Sequence, residues 1–342
     1  MSNRKTYLDI MNVISMFLIV ELNCTQIFVG KFSFTLNIVL NCLIKGLFIF
    51  SIPMFIMLSG SNLLDYRSKY DSVTFFKKRI NKVVLPLIFW SLIWYFYNVF
   101  IYKNMHLGIK TLLNSFFYNK IQPNFWFLYL MIGLYLVTPI LNIIVKNSKS
   151  ITFYLLFIYL IFGATIPFVC HLLGKNNFVS NFGIPFTVGT LGYYIFGFII
   201  EYFNLKEFTI RLFINVGIAV GVGTVLFSMV IYFVKGYTKW NVYDIFGLPV
   251  VLFSFGMFCW LRNKFININF SHKVKKNFEI MAKCSLGIFL IQQFFINYFV
   301  KFFSNRVYTF WHILFIPIFV YLLCLLVILI LKKIPLIKKL VP

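Results

Sequence analysis

Long apolar stretches separated by short polar segments dominate the chain, and they predict about ten membrane-spanning helices. The predicted spans lie near residues 7–29, 36–59, 83–102, 124–145, 151–173, 182–203, 210–234, 242–262, 279–300 and 311–331. Each has close to the ~20 apolar residues that an α-helix needs to cross the hydrocarbon core of a bilayer. The pattern therefore predicts an all-α polytopic membrane protein, with one membrane domain over residues 1–342 and no soluble domain.

The first apolar stretch differs from the others because polar residues interrupt it, namely Asp9, Asn12, Glu21, Asn23 and Thr25. Polar side chains within a membrane helix are costly, so they usually face a cavity or a partner. Asn12 and Asn23 are eleven residues apart, which returns to nearly the same helix face about 16 Å along the axis. We therefore expect these two amides to line a functional cavity at two depths.

Two ionisable residues are predicted to lie deep in the membrane. Glu21 points roughly 200° away from Asn23 on the helix, so it faces away from the Asn12 and Asn23 face. Lys45 lies in the second span at the same predicted depth, about 21 Å above the inner boundary at 1.5 Å per residue. An unpaired charge at that depth is costly, so the sequence predicts a Glu21 to Lys45 ion pair. The alternative is that Glu21 acts as a base.

Composition supports a membrane protein and argues against a nucleic-acid partner. The 342 residues are 61% hydrophobic and 12% charged, with a mean hydropathy of +0.88. The net charge is +24, yet the Lys and Arg residues are dispersed in the loops between spans. They are concentrated on the side of the N-terminus, so the positive-inside rule predicts both termini in the cytoplasm and a multi-pass protein of the cell membrane. The six cysteines show no CxxC or ligand-like spacing.

A basic segment over residues 62–82 precedes the third span and contains Arg79 and Lys82. We expect this segment to be a loop. Basic residues beside a membrane usually set topology or contact anionic lipid. The functional alternative is a clamp for phosphate, for which the planar guanidinium of Arg and the point charge of Lys are both suited. Trp126, at the start of the fourth span, also allows a purely structural interpretation, since tryptophan often anchors a helix end at the membrane interface.

Several of these stretches together resemble the acyltransferase-3 family of integral-membrane O-acyltransferases. They read YLDIMNVISMFLIVELNCTQIFV, SIPMFIMLSG, KKRINKVVLPLIFW, PNFWFLYLM and CSLGIFLIQQ. The family carries Arg or Lys, ten residues and then His in the first of them. This chain keeps the spacing but has Asn12 and Asn23. Asn124 and Gln292 likewise occupy the His positions of the fourth and fifth stretches.

The resemblance implies transfer of an acyl group, most often acetyl, from a CoA thioester to a cell-surface polysaccharide or a lipid-linked sugar. Acyl-CoA is then a donor substrate, and no bound cofactor or metal is expected. The implied site residues are Asn23 in the catalytic His position, Glu21 as a substitute base, Arg79, Lys82 and Asn12 for the donor, and Asn124, Trp126 and Gln292 for the acceptor.

Asparagine does not titrate, so Asn23 cannot supply the general-base help that is worth about 10² to 10⁴ in rate. One alternative function is therefore a catalytically silent relative that binds a glycan, a donor or another membrane protein. A second is a glycan flippase or polymerase, since these proteins are also polytopic and aromatic-rich. Besides the bilayer and the sugar acceptor, a homo-oligomer is compatible with the sequence.

Overall fold

The structure is a computed structural model, and it describes residues 5–28, 34–177, 179, 190–235, 242–303, 310–335, 337–338 and 340–341. Within these residues the chain forms α-helices that we number in order. They are α1 (Thr6–Phe28), α2 (Phe34–Phe48), α3 (Ser51–Leu63), α4 (Ser72–Arg79), α5 (Leu85–Tyr97), α6 (Ile109–Phe117), α7 (Trp126–Asn147), α8 (Lys149–Ile158), α9 (Ile166–Leu172), α10 (Leu191–Tyr202), α11 (Glu207–Lys235), α12 (Leu248–Ile266), α13 (His272–Phe303) and α14 (Phe310–Leu331).

The all-α polytopic fold is confirmed. Among the described residues, eight helical segments are long and apolar enough to cross a membrane: Thr6–Thr25, Val39–Ser68, Ser72–Tyr102, Pro123–Asn147, Lys149–Leu172, Glu207–Val234, His272–Phe302 and Ile313–Leu331. The sixth and eighth predicted spans correspond to α10, a shorter apolar helix, and to α12, which ends in the charged residues Arg262 and Lys264. Part of the sixth span, residues 182–189, lies outside the described residues. The total of ten spans and the cytoplasmic termini remain predictions.

Helix α1 lies at the centre of the bundle, where it contacts α2, α3, α12, α13 and α14. Its apolar side chains are almost all buried, including Met11 and Val20, which are completely inaccessible. A helix buried on all sides keeps its polar residues away from lipid. The polar first stretch is therefore the axis around which the other helices pack.

The second span is broken between α2 and α3, two residues before Pro53. Proline has no backbone N–H and its ring clashes with the carbonyl four residues earlier, so a helix is interrupted on its N-terminal side. Backbone hydrogen bonds bridge the break, from Ile49 N to the Lys45 carbonyl at 2.9 Å and from Met54 N to the Phe50 carbonyl at 2.9 Å. The break thus lies where Pro53 disfavours regular α-helix.

The basic segment that we expected to be a loop is helical from Ser72 onward, and for that part, which holds Arg79 and Lys82, the prediction is wrong. Asp71 caps the N-terminus of α4, because its carboxylate accepts hydrogen bonds from the amides of Val73 and Thr74 at 3.1 and 3.4 Å. A π-helical turn over Ile80–Val84 then joins α4 to α5. Pro86, near the start of α5, lacks an amide hydrogen, and a local π turn accommodates the missing bond. The basic side chains are thus held on a continuous helical segment.

Helices α3 and α10 pack with their backbones in direct contact. A β-carbon at Gly60 would collide with the carbonyl group of Tyr194, and a β-carbon at Gly197 would collide with that of Met57. In a membrane, small residues allow the close approach from which packing energy is gained. Each of the two helices thus supplies one glycine to the same contact.

A buried carboxylate joins three helices at the end of the bundle where α1 begins, which we call the basic face. Glu201, at the end of α10, has only 2% of its side chain exposed. It forms an ion pair with Lys5, accepts hydrogen bonds from the Tyr7 hydroxyl at 2.6 Å, and lies 3.7 Å from Arg262 Nε on α12. The cluster fixes the N-terminus of α1 against α10 and α12.

We predict that Gly60→Ala and Gly197→Ala each destabilise the protein by about 1 to 3 kcal/mol, because each methyl group forces the two backbones apart. Gly133→Ala in α7 is the matched control, since a β-carbon there meets nothing within 4 Å. The control should change stability by less than about 0.5 kcal/mol. Thermal unfolding of the purified variants in detergent measures the difference. Equal melting temperatures for the three variants would show that α3 and α10 are not in backbone contact.

Candidate functional site

A cavity of about 350 Å³ lies against α1, between α2, α3, α7, α13 and the π turn before α5. We call it the lysine cavity. Its lining includes Asn12, Asn23, Lys45, Ser59, Lys82, Asn124, Trp126, Tyr135, Tyr243 and Lys283. The volume falls in the range of about 300 to 1,000 Å³ that is usual for small-molecule sites.

The two amides of the first helix both line this cavity, as their spacing predicts. Asn12 Oδ1 is buried and has no hydrogen-bond partner among the described residues. Buried polar atoms are nearly always satisfied, so this unpartnered oxygen beside a cavity is an exception. The face of α1 that carries Asn12 and Asn23 therefore lines the lysine cavity.

Three lysines give the lysine cavity its charge. Lys45, Lys82 and Lys283 line it, and no carboxylate is found among its lining residues in the described part of the chain. Lys283 Nζ lies 2.6 Å from Glu279 Oε1, one helical turn away and outside the cavity lining. A protonated lysine in a cavity without a lining carboxylate favours an anionic ligand.

Arg79, the second predicted phosphate ligand, does not line the cavity. Its guanidinium carbon lies 5.7 Å from the ring centroid of Phe75 and 5.7 Å from that of Tyr135. Tyr135 does line the cavity, so Arg79 stacks behind the wall that this tyrosine forms. Of the two predicted basic residues, Lys82 is therefore the one that a bound ligand can reach.

A second cavity, of about 520 Å³, lies toward the opposite end of the bundle. We call it the amide cavity because its lining includes Asn23, Asn98, Asn104, Gln122, Asn124, Gln293 and Asn297. Some of these amides are linked, since Asn124 Nδ2 donates to Gln293 Oε1 at 3.2 Å and Gln293 Nε2 donates to Asn297 Oδ1 at 2.8 Å. Trp94 and Tyr102 add aromatic surface.

Asn23 and Asn124 line both cavities, so the lysine cavity and the amide cavity meet at these two side chains. One comes from the centre of the bundle on α1, and the other from the short 3₁₀ turn that precedes α7. The structure thus brings together the residues in the His positions of the first and fourth family-like stretches, Asn23 and Asn124. Any reaction between a ligand in one cavity and a ligand in the other would occur beside them.

Glu21 and Gln292 line neither cavity. The Glu21 carboxylate is buried and accepts a hydrogen bond from the Thr25 hydroxyl at 3.3 Å. Gln292 is completely buried, and its nearest donor contact is from Nε2 to the Phe289 carbonyl at 3.4 Å. The next residue, Gln293, lines the amide cavity, and only its i, i+4 spacing from Asn297 could have indicated this.

The predicted ion pair between Glu21 and Lys45 is wrong. The ion pairs of the described residues do not include it. Residue counting along a helix fixes the depth of a side chain but not the direction in which it points from a neighbouring helix. Lys45 points into the lysine cavity, while Glu21 points away from it. Lys283 and Tyr243 also line the lysine cavity, and the sequence did not lead us to expect either. The position of Lys283 inside the ninth predicted span was the available signal, since a charge within a span is costly.

The family model of the acyltransferase-3 acyltransferase domain matches residues 5–331, which is nearly the whole chain. The chain belongs to the acyltransferase-3 family. Comparison with curated proteins and with solved structures gives no match. Family membership makes this acyltransferase-3 protein a multi-pass membrane protein with an acyltransferase-like function.

This acyltransferase-3 chain therefore has a cavity with three lysines and a cavity with many amides, and both are in contact with residues in the family's His positions. The lysine cavity lies beside the central helix α1 and next to the break between α2 and α3. Lys45 lines it from α2, Ile49 lines it from the break, and Ile52 lines it from α3.

We predict that a membrane-impermeant thiol reagent modifies Gln293→Cys about tenfold or more faster than Gln292→Cys, because buried thiols are inert. The two positions are adjacent, but only Gln293 lines the amide cavity, whereas Gln292 has 0% exposure. All six native cysteines are buried, so they give a low background. Mass spectrometry of the labelled protein in membranes measures both rates. Faster labelling of Gln292→Cys would contradict this orientation of α13.

Proposed function

We propose that the protein is a membrane O-acyltransferase that transfers an acyl group, in the simplest case acetyl, from a CoA thioester to a sugar hydroxyl. The donor occupies the lysine cavity and the sugar occupies the amide cavity. One observation supports this most directly: two cavities of different chemistry meet at Asn23 and Asn124. A transfer between two substrates needs such a meeting point, because the reacting atoms must come within about 3 to 3.5 Å.

The lysine cavity is suited to the donor. CoA carries several phosphate charges, and Lys82 and Lys283 both line the cavity. The positive-inside rule assigns the basic face to the cytoplasm, where CoA is found. The volume of about 350 Å³ admits the acyl group and the narrow arm that carries it. We expect Lys82 to contact the phosphates directly. Arg79 would act through Tyr135, against which it stacks.

The amide cavity is suited to the acceptor. An amide side chain both donates and accepts hydrogen bonds, as a sugar hydroxyl does, so several amides bind a polyol without adding charge. Trp94 offers an aromatic surface beside them and is itself fixed by stacking on Phe294 at 3.7 Å between ring centroids. The acceptor would be a cell-surface polysaccharide or a lipid-linked sugar at the outer side of the cell membrane.

Asn23 and Asn124 have a positioning role in this scheme. Each amide can donate a hydrogen bond to the thioester carbonyl, on which negative charge develops during attack, and such donors are often worth 10² to 10³ in rate. Neither can take the proton of the attacking hydroxyl. The family resemblance implies that this proton goes to a histidine in other members, at the position that Asn23 occupies here.

A second candidate function is a silent relative that binds CoA or glycan without transfer. The observation that favours it is that amides, Asn23 and Asn124, occupy two of the family's His positions and lie where the two cavities meet. The two candidates predict the same ligands but a different product.

The deciding experiment uses the full chain in nanodiscs with radiolabelled acetyl-CoA and a glycan extract from the cell surface. Label transferred to glycan, dependent on the protein, supports the proposed function. Binding of CoA without any transfer supports the silent relative. If the protein neither binds CoA nor transfers the label, both candidate functions are refuted.

We predict that Lys82→Ala weakens CoA binding about tenfold, since a charge-assisted contact to phosphate is worth roughly 1.5 to 3 kcal/mol. Lys77→Ala is the matched control, because Lys77 lies one turn away on α4 and is exposed. It should change the Kd by less than about twofold. Titration calorimetry with CoA measures both. Equal effects of the two variants would indicate a general charge effect and not a contact in the cavity.

A further inference from the structure

The proposed transfer requires a base, and the side chains at the junction of the two cavities do not supply one. Asn23 and Asn124 do not titrate. The histidines whose side chains the structure describes, His106, His171 and His272, line neither cavity, and neither does Glu21. An ionisable group that does face the junction would therefore have a specific chemical role.

Lys45 faces the lysine cavity from α2, a helix that packs against α1. Asn23 lies 17 residues beyond the first residue of α1, and Lys45 lies 18 residues before the last residue of α3. Both ends are at the basic face, so at 1.5 Å per residue the two residues lie at about 26 and 27 Å from it. Lys45 thus shares the cavity and the depth of the residue in the catalytic His position.

The other two lysines of this cavity lie closer to the basic face. Lys82 belongs to the π turn that directly follows α4. The carbonyl of Lys283 accepts a hydrogen bond from Lys332, just beyond the end of α14, and its ammonium group lies 2.6 Å from Glu279. By contrast, the ion pairs among the described residues give Lys45 no carboxylate partner.

We propose that Lys45 is the general base of the proposed acyl transfer, in the place of the family's histidine. A lysine withdrawn from water without a counter-charge is the kind that proteins use as a base, because desolvation favours the neutral amine. Lys45 is half-buried and is one of the residues that line the lysine cavity. The inference rests on the proposed function, since the base needs a hydroxyl to deprotonate.

The step balances with the two substrates alone. The sugar hydroxyl oxygen attacks the thioester carbonyl carbon, and its proton passes to Lys45 Nζ as the new C–O bond forms. The C–S bond then breaks, and the departing thiolate takes the proton from the Lys45 ammonium group. The products are the sugar ester and free CoA, and Lys45 returns to the neutral amine.

The test compares Lys45→Met, Lys45→Arg and the double variant Lys45→Met with Asn23→His, in the same nanodisc transfer assay. Lys110→Met on the exposed side of α6 is the control for loss of a lysine. We expect both single variants at Lys45 to lower kcat by about 10²-fold or more, with a CoA Kd within about twofold of the unaltered protein. The double variant should recover at least about tenfold of the lost rate, because the histidine supplies a base from the neighbouring helix.

Retained CoA binding shows that a variant is folded, so loss of rate is then a loss of chemistry. Activity in Lys45→Arg would overturn the proposal, since Arg keeps the positive charge but cannot accept a proton. Full activity in Lys45→Met, or a change confined to the CoA Kd, would also overturn it. So would a double variant that binds CoA but recovers nothing. If the unaltered protein transfers no acyl group, the proposed function fails first and the role of Lys45 fails with it.

Discussion

A polar side chain that faces lipid hydrocarbon costs free energy, and the first helix carries several polar side chains, among them Asn12, Glu21 and Asn23. This constraint decides where α1 lies. The helix is surrounded by α2, α3, α12, α13 and α14, so its polar residues face other helices or a cavity. The Thr25 hydroxyl donates a hydrogen bond to the Glu21 carboxylate within the same helix, whereas Asn12 and Asn23 line the lysine cavity. The lysine cavity is thus a consequence of how the bundle accommodates its central helix.

The remaining helices are held to this centre by contacts that do not depend on apolar burial. Lipid is as apolar as a leucine side chain, so helices in a membrane associate through close packing and polar contacts. Gly60 and Gly197 bring the backbones of α3 and α10 together, and Phe196 of α10 stacks on Phe255 of α12 at 3.7 Å. Glu201 then ties α10 to the start of α1. Removing one partner from such a buried cluster leaves uncompensated charge, which typically costs about 3 to 5 kcal/mol.

Much of the fold is readable from the sequence because membrane helices must be both long and apolar. The common face of Asn12 and Asn23 was also predictable, since it depends only on the geometry of one helix. The orientation of one helix relative to another was not predictable in this way. Glu21 and Lys45 were predicted at similar depths, but their side chains point in different directions. Gln292 is buried, and its neighbour Gln293 lines the amide cavity. A register along one helix is local information, whereas the rotation of that helix against its neighbours depends on packing across the whole bundle.

The meeting of the two cavities at Asn23 and Asn124 also affects the membrane as an electrical barrier. The lysine cavity extends toward the basic face and the amide cavity toward the other, and the two cavities share the lining residues Asn23 and Asn124. A membrane potential of 100 mV drives each unit charge with about 2.3 kcal/mol, and part of that drop falls across the protein between the two cavities. Neutral amides carry no charge and do not exchange protons with either compartment. They therefore add no charged or proton-exchanging group where the two cavities meet.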